Sequence, residues 1–144
     1  MTTERTAPVL YLVIPCYNEE AVLPETTKRL TEKLHTMIRT GLIDRESRIL
    51  YVDDGSRDQT WSLISEYSAA IPYVDGVKLA HNRGHQNALL AGLMTAAPLC
   101  DCAISMDADL QDDTDAVDRF VEKYMEGCDV VYGVRNKRDK DTFF

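Results

Sequence analysis

The sequence predicts an α/β fold, a mostly parallel, doubly wound sheet flanked by helices. Short apolar runs of strand length alternate with longer segments whose apolar residues step by three and four. Strands alternating with helices imply crossover connections and parallel pairing. Four polar clusters, Pro15 to Glu20, Asp53 to Asp58, Asp107 to Asp112 and Gly133 to Arg138, each follow a predicted strand directly. That places all four on one rim, outside the carboxyl ends of the strands, where such sheets bind ligands.

Val9 to Ile14 is a continuous apolar run stopped by Pro15, as expected of a strand buried on both faces. From Leu23 the positions Leu23, Thr27, Leu30, Leu34, Met37 and Ile38 form one stripe of a helix of about five turns. Pro24 is tolerated in its first turn and Gly41 can end it. Arg48 to Val52 reads as a second strand running into the turn Asp53-Asp54-Gly55-Ser56. Asp58 or Thr60 is placed to cap a helix to about Ala70, and Pro72 breaks it. Val74 to Leu79 is a third strand. Gly84 to Ala97 is helical by composition and closed by Pro98. Gly92 inside it costs about 1 kcal/mol relative to alanine, so close packing on the sheet is its expected reason. Cys102 to Ile104 reads as the end of a buried fourth strand. A helix with Val117, Phe120, Val121 and Tyr124 inward follows, and Asp129 to Tyr132 is a fifth strand. Trp61 and Tyr67, at helical spacing, are expected in the core.

The 144 residues make one domain or part of one, and 44% hydrophobic with 28% charged residues suit a globular protein. A net charge of −8 argues against a nucleic-acid partner, which requires a basic footprint. Charge is unevenly placed: six aspartates and no base lie between Asp107 and Asp118, and four basic residues lie between Arg135 and Lys140. Cys16, Cys100, Cys102 and Cys128 form no CxxC pair, so reduced thiols are expected rather than a disulfide framework. Cys100 and Cys102 with His81 and His85 match no common zinc spacing. No apolar run approaches the ~20 residues that cross a bilayer. No internal repeat is visible.

The most informative segment is Asp107-Ala108-Asp109-Leu110-Gln111-Asp112. A strand alternates its side chains, so Asp107 and Asp109 are expected to leave the sheet on one face. Two neighbouring carboxylates repel unless a cation sits between them. Hard oxygen ligands suit Mg²⁺ or Mn²⁺, ions that commonly arrive with a phosphate-bearing substrate. The alternative is a capped helix start with solvated acids. Asp53 and Asp54 equally suit an Asx-type turn and cap. The basic run from Arg135 also suits a solvated surface. Neither a GxxxxGK[ST] loop nor a GxGxxG after a strand is present, so phosphate recognition has to use a metal and arginines.

Taken together, Pro15-Cys16-Tyr17-Asn18-Glu19-Glu20, Val52-Asp53-Asp54-Gly55-Ser56-Arg57-Asp58, Asn82-Arg83-Gly84 and the Asp107–Asp112 segment closely resemble the inverting family 2 glycosyltransferases of GT-A fold. The nearest likeness is to the polyprenyl-phosphate branch, which includes dolichyl-phosphate mannose synthases. The resemblance implies transfer of a sugar from a nucleoside-diphosphate sugar, UDP- or GDP-linked, to a polyprenyl phosphate. It implies that Pro15, Tyr17 and Glu19 line the nucleoside pocket. Asp54 would accept from a base N–H, with Asp53 supporting the turn. Asp107 would contact ribose or metal-bound water, Asp109 would ligate Mg²⁺ or Mn²⁺, and Gln111 would add a neutral ligand. Arg135 and Arg138 would hold the donor diphosphate and acceptor phosphate, a task that suits guanidinium forks. The resemblance further implies that residues 1–144 are the nucleotide-sugar part of a larger enzyme. That enzyme would meet the cytoplasmic side of a membrane through a following region, while this part is soluble. His81 and His85 are read as structural or peripheral.

Other classes fit less well. A nucleotidyltransferase would carry a glycine-rich loop with a base after the first strand, where this chain is acidic. A receiver domain places its acid pair after the first strand and a lysine after the fifth; here the pair follows the second and Arg135 the fifth. A family 2 transferase using a sugar hydroxyl, and a non-catalytic nucleotide-binding fragment, both stay open.

Overall fold

A computed structural model describes residues 6–110 and 114–130. Its elements run β1 (Leu10–Cys16), α1 (Leu23–Arg39), β2 (Arg48–Asp53), α2 (Thr60–Ala70), β3 (Val74–Lys78), α3 (His85–Ala96), β4 (Cys102–Ser105) and α4 (Ala116–Met125). A 3₁₀ turn, Ala97–Leu99, carries Pro98 between α3 and β4. The four strands form one parallel sheet in the order β3-β2-β1-β4. The chain steps outward from β1 to β3 and then returns to the other side of β1. The junction of β1 and β4 is therefore the switch point where such sheets open a crevice.

β1 is buried at every position, and its two faces belong to two cores. Leu10, Leu12, Ile14 and Cys16 pack with Leu23, Leu30, Leu34 and Met37 of α1, Ile64 of α2, and Val117 and Val121 of α4. Tyr11 and Val13 join Leu50 and Val52 under Ala88 and Ala96 of α3. The period of two along the strand makes this division automatic. Pro15 belongs to β1, paired with Val52, rather than ending it. On that side β1 has already parted from β4, whose pairing ends at Val13, so the missing N–H of Pro15 falls where the ladder stops.

The predicted helix stripe of α1 is the buried one, and Gly41 closes the helix at φ +82°. Gly92 has the expected packing reason: a Cβ there would lie 2.5 Å from Val13 Cγ1 and 2.7 Å from Val52 Cγ2. α3 thus rests its backbone directly on the sheet.

Three expectations need correction. β4 is only half-buried, with Ala103 and Ser105 exposed, because it stands at the edge of the described sheet and α3 covers β1 and β2. The strand also ends at Ser105, so alternation along it does not carry Asp107 and Asp109. Trp61 and Tyr67 pack against the core but remain half-exposed, Trp61 taking the Lys78 ammonium over its ring at 5.7 Å. The fifth strand expected at Asp129 to Tyr132 falls largely outside the described residues. So do Gln111, Arg135 and Arg138. Among the described residues no helix is long and apolar enough to cross a membrane.

Gly92→Ala is expected to destabilise the protein by about 1–3 kcal/mol through overpacking. Helix propensity alone predicts a gain of about 1 kcal/mol. Urea denaturation of the two proteins reads the sign directly.

Candidate functional site

The first three rim loops are tied in succession by side-chain-to-backbone hydrogen bonds, and the fourth is tied to α1. Asn18, in the left-handed region at φ 53°, accepts from Arg57 N at 2.8 Å through Oδ1, and its own N–H donates to Ser56 Oγ at 2.9 Å. Glu19 N donates to the fully buried Thr60 hydroxyl at 2.8 Å. Thr60 N in turn donates to Asp58 Oδ1 at 2.8 Å, a turn just ahead of α2; the N-cap itself is Gln59 with no side-chain cap bond, so neither Asp58 nor Thr60 is the expected cap. The loop after β1 is therefore clamped to the loop after β2.

Asp53 ends β2, Asp54 follows it, and both are buried. Asp53 accepts from Ser56 N at 3.3 Å, and Lys78 Nζ lies 3.9 Å from its other oxygen, so it supports the turn. Asp54 accepts from Arg83 N at 2.6 Å with one oxygen and from Gly84 N at 3.1 Å with the other. Both oxygens of the residue expected at a base N–H thus hold the loop after β3.

The acidic loop is set by a turn. Met106 N extends the ladder to Val13 O at 3.1 Å, and Leu110 N closes the turn on Asp107 O at 3.2 Å, with Leu110 at φ 51°. Ala108 is buried between the two aspartates, and its carbonyl accepts from Thr26 Oγ1 of α1 at 2.5 Å. Burying Ala108 points the flanking acids outward.

These loops enclose one cleft of about 290 Å³, lined by Pro15, Cys16, Tyr17, Glu19, Asp54, Asn82, Gly84, His85, Asp107, Ala108 and Asp109. It lies at the β1/β4 switch point and gathers Pro15, Tyr17, Glu19, Asp54, Asp107 and Asp109 from the sequence reading, while Asp53 is not part of its lining. His85, read as peripheral, belongs to its wall, because α3 begins at the rim and its first residue faces the cleft. Asn82 joins it from the same loop. The Asn82-Arg83-Gly84 segment, a few residues beyond β3, was the available sequence signal.

The electrostatics are one-sided. Among the described residues the lining holds four carboxylates and neither lysine nor arginine. The Glu19 carboxyl is pushed above its usual range, first by burial and then by the charges of Asp109, Asp107 and Asp58. Such crowding is what an oxygen-liganded divalent cation relieves, and Asp107 and Asp109 have the right chemistry for Mg²⁺ or Mn²⁺. Among the described residues no three His, Cys, Asp or Glu side chains form a ready metal cage. Any ion here needs further ligands.

The family model for glycosyl transferase family 2 matches residues 11–144. The chain belongs to that family. The family's uncharacterised glycosyltransferase YkoT of Bacillus subtilis is 53% identical over 141 residues, covering 98% of this chain and 42% of YkoT. An undecaprenyl-phosphate 4-deoxy-4-formamido-L-arabinose transferase of Enterobacter is 37% identical over 146 residues, covering 100% of this chain and 42% of that protein. The chain thus spans about two fifths of these relatives' length. The mannosyltransferase PcManGT of Pyrobaculum calidifontis, solved with GDP-Man and Mn²⁺, matches with a TM-score of 0.65 at 23% identity. That match covers 81% of this chain and 32% of PcManGT, and it makes the fold GT-A.

Because folded Glu19 holds its proton more readily than the unfolded chain does, the native state binds more protons between the ordinary and the raised pKa. Stability therefore falls as pH rises through that window. Glu19→Gln is expected to melt at a higher temperature than the parent at neutral pH. The difference should fade as pH drops below the ordinary glutamate range, which a series of melting curves would show.

Proposed function

We propose that this family 2 member contributes the nucleotide-sugar site of an inverting glycosyltransferase that delivers a sugar to a polyprenyl phosphate. The observation that carries the reading is the convergence of Tyr17, Glu19, Asp107 and Asp109 on one cleft at the switch point of the sheet. Tyr17 offers a ring face to the base, and Glu19 accepts from ribose hydroxyls. Pro15 shapes the floor beneath them. The names of related undecaprenyl-phosphate transferases support the acceptor class.

An acid-lined cleft repels a diphosphate, so the donor needs positive charge brought with it. Asp107 and Asp109 would hold Mg²⁺ or Mn²⁺, with substrate phosphates completing the coordination as is usual for these ions. Gln111 would add an oxygen from the same loop. When bound, the ion supplies Lewis-acid stabilisation of charge on the departing nucleoside diphosphate. Arg135 and Arg138 would supply the remaining charge against the donor and acceptor phosphates. A lipid phosphate monoester, with a second pKa near 6, is largely dianionic at neutral pH and attacks without a proton being removed. Such an acceptor demands little of the cleft beyond positioning. Inversion follows if it approaches the anomeric carbon opposite the diphosphate.

On this reading residues 1–144 are the donor half of a longer, membrane-associated enzyme working on the cytoplasmic face. The relatives' greater length supports that division.

Calorimetry with UDP and GDP, with and without Mn²⁺, tests the proposal. One nucleotide should bind only with the metal, and Asp109→Ala should weaken it by about 10- to 100-fold, as loss of support does at metal sites. Metal-independent binding that survives Asp109→Ala contradicts the site. Efficient sugar transfer to a lipid phosphate by residues 1–144 alone contradicts the division of labour.

A further inference from the structure

α1 carries two threonines on its buried stripe, Thr26 and Thr27, each 2% exposed. A threonine within a helix commonly returns its hydroxyl to the carbonyl one turn back, as Thr95 does to Ala91 O at 2.8 Å. Each of these two reaches out of its helix instead. Thr27 shares a 2.7 Å hydrogen bond with the buried Tyr51 hydroxyl of β2. Thr26 crosses 82 positions of sequence and donates to Ala108 O at 2.5 Å. That carbonyl lies in the part of the acidic loop beyond the ladder, after Met106 N has met Val13 O. Met106, Ala108 and Leu110 pack into the core that α1 shares, while Asp107 and Asp109 line the cleft. Apolar contact of this kind sets how deep the loop sits, but it is non-directional and leaves the peptide planes able to turn. A hydrogen bond is directional. The peptide unit from Ala108 Cα to Asp109 Cα is planar, so holding its oxygen fixes the plane from which the Asp109 side chain departs. The same end of α1 also holds the first rim loop, since Val22 N and Leu23 N both donate to Glu19 O at 3.1 Å.

We propose that Thr26 is a positioning residue for the acidic loop: by gripping the Ala108 carbonyl, its hydroxyl orients the Ala108–Asp109 peptide and with it the Asp109 carboxylate. This rests on the reading of Asp109 as a ligand of Mg²⁺ or Mn²⁺, and adds to it a residue of α1 that touches neither ion nor donor. Small divalent ions demand near-ideal ligand placement, so a carboxylate carried on a loosened plane holds them poorly. Partners that stand behind a ligand matter for this reason, and their loss lowers metal affinity by about 10- to 100-fold. Valine has the shape of threonine without the hydroxyl, so Thr26→Val keeps the core filled and leaves Ala108 O without its donor. Thr26→Ser keeps the hydroxyl and gives up one methyl.

The experiment uses the 144-residue chain with Mn²⁺ and whichever of UDP and GDP the parent binds, bound Mn²⁺ being read from its electron paramagnetic resonance signal. Thr26→Val is expected to lower Mn²⁺ affinity about tenfold, and Thr26→Ser to restore most of it. Thr27→Val controls for a merely structural loss, because it removes an equally buried hydroxyl one residue along the same helix. It should lower the urea midpoint and leave Mn²⁺ affinity at the parent value. Without metal, the Ala108 carbonyl-carbon and Asp109 amide-nitrogen NMR signals should move in Thr26→Val and stay in Thr27→Val. Should Thr26→Val not fold, Thr26→Ala set against Thr26→Ser makes the same comparison. Parent-like Mn²⁺ affinity in Thr26→Val, or an equal loss in Thr27→Val, overturns the assignment while the metal site stands. Failure of the parent chain to hold Mn²⁺ with either nucleotide brings down the metal reading instead, and the role of Thr26 with it.

Discussion

Burial of β1 on every side is the constraint from which the rest of the molecule follows. A strand whose seven residues are all inaccessible must have neighbours along both edges and helices over both faces. α1 and α2 supply one cover and α3 the other, so the crossovers between parallel strands are helical. Parallel strands joined this way return their loops to a single rim. Chemistry-bearing residues distant in sequence therefore meet there without any long-range design beyond the sheet itself.

Convergence alone would leave the loops loose, and the rim is stiffened by polar side chains that reach backbone groups of the adjoining loop. Asn18 and Thr60 join the first loop to the second, Asp54 joins the second to the third, and Thr26 reaches from α1 to the fourth. Each such bond satisfies a backbone group that would otherwise be orphaned where the ladder ends. Residues that look like exposed polar punctuation are thus structural, and several of the aspartates divide between holding the cleft and facing it.

The same arrangement stores electrostatic tension. Glu19, Asp107 and Asp109 face one cleft, and the Glu19 carboxyl is raised first by burial and then by its acidic neighbours. A fold that keeps such a cluster is suited to a partner bearing positive charge. Stability of the chain by itself and readiness for a charged ligand pull in opposite directions here.

The succession of elements was legible in the sequence because burial leaves a period: two along β1, and three or four along α1 from Leu23 to Met37. Gly41 and Gly92 announced themselves by residue type. The rim clusters were legible because polar residues directly after apolar runs have few other places to go in an α/β sheet. What local pattern could not show is anything that depends on who lies beside whom. β4 has a buried strand's composition but stands at the edge of the described sheet, with Ala103 and Ser105 exposed. Pro15 sits within β1 because a neighbour has departed, and Asp107 and Asp109 are aimed by a turn around Ala108 rather than by strand alternation. His85 reaches the cleft only because α3 starts where β3 leaves the rim, and Asp54 grips Arg83 and Gly84 some thirty residues along the chain. Periodicity and residue chemistry are properties of a segment and can be read from it. Edges, walls and hydrogen-bond partners are properties of the assembled sheet, and only its folding decides them.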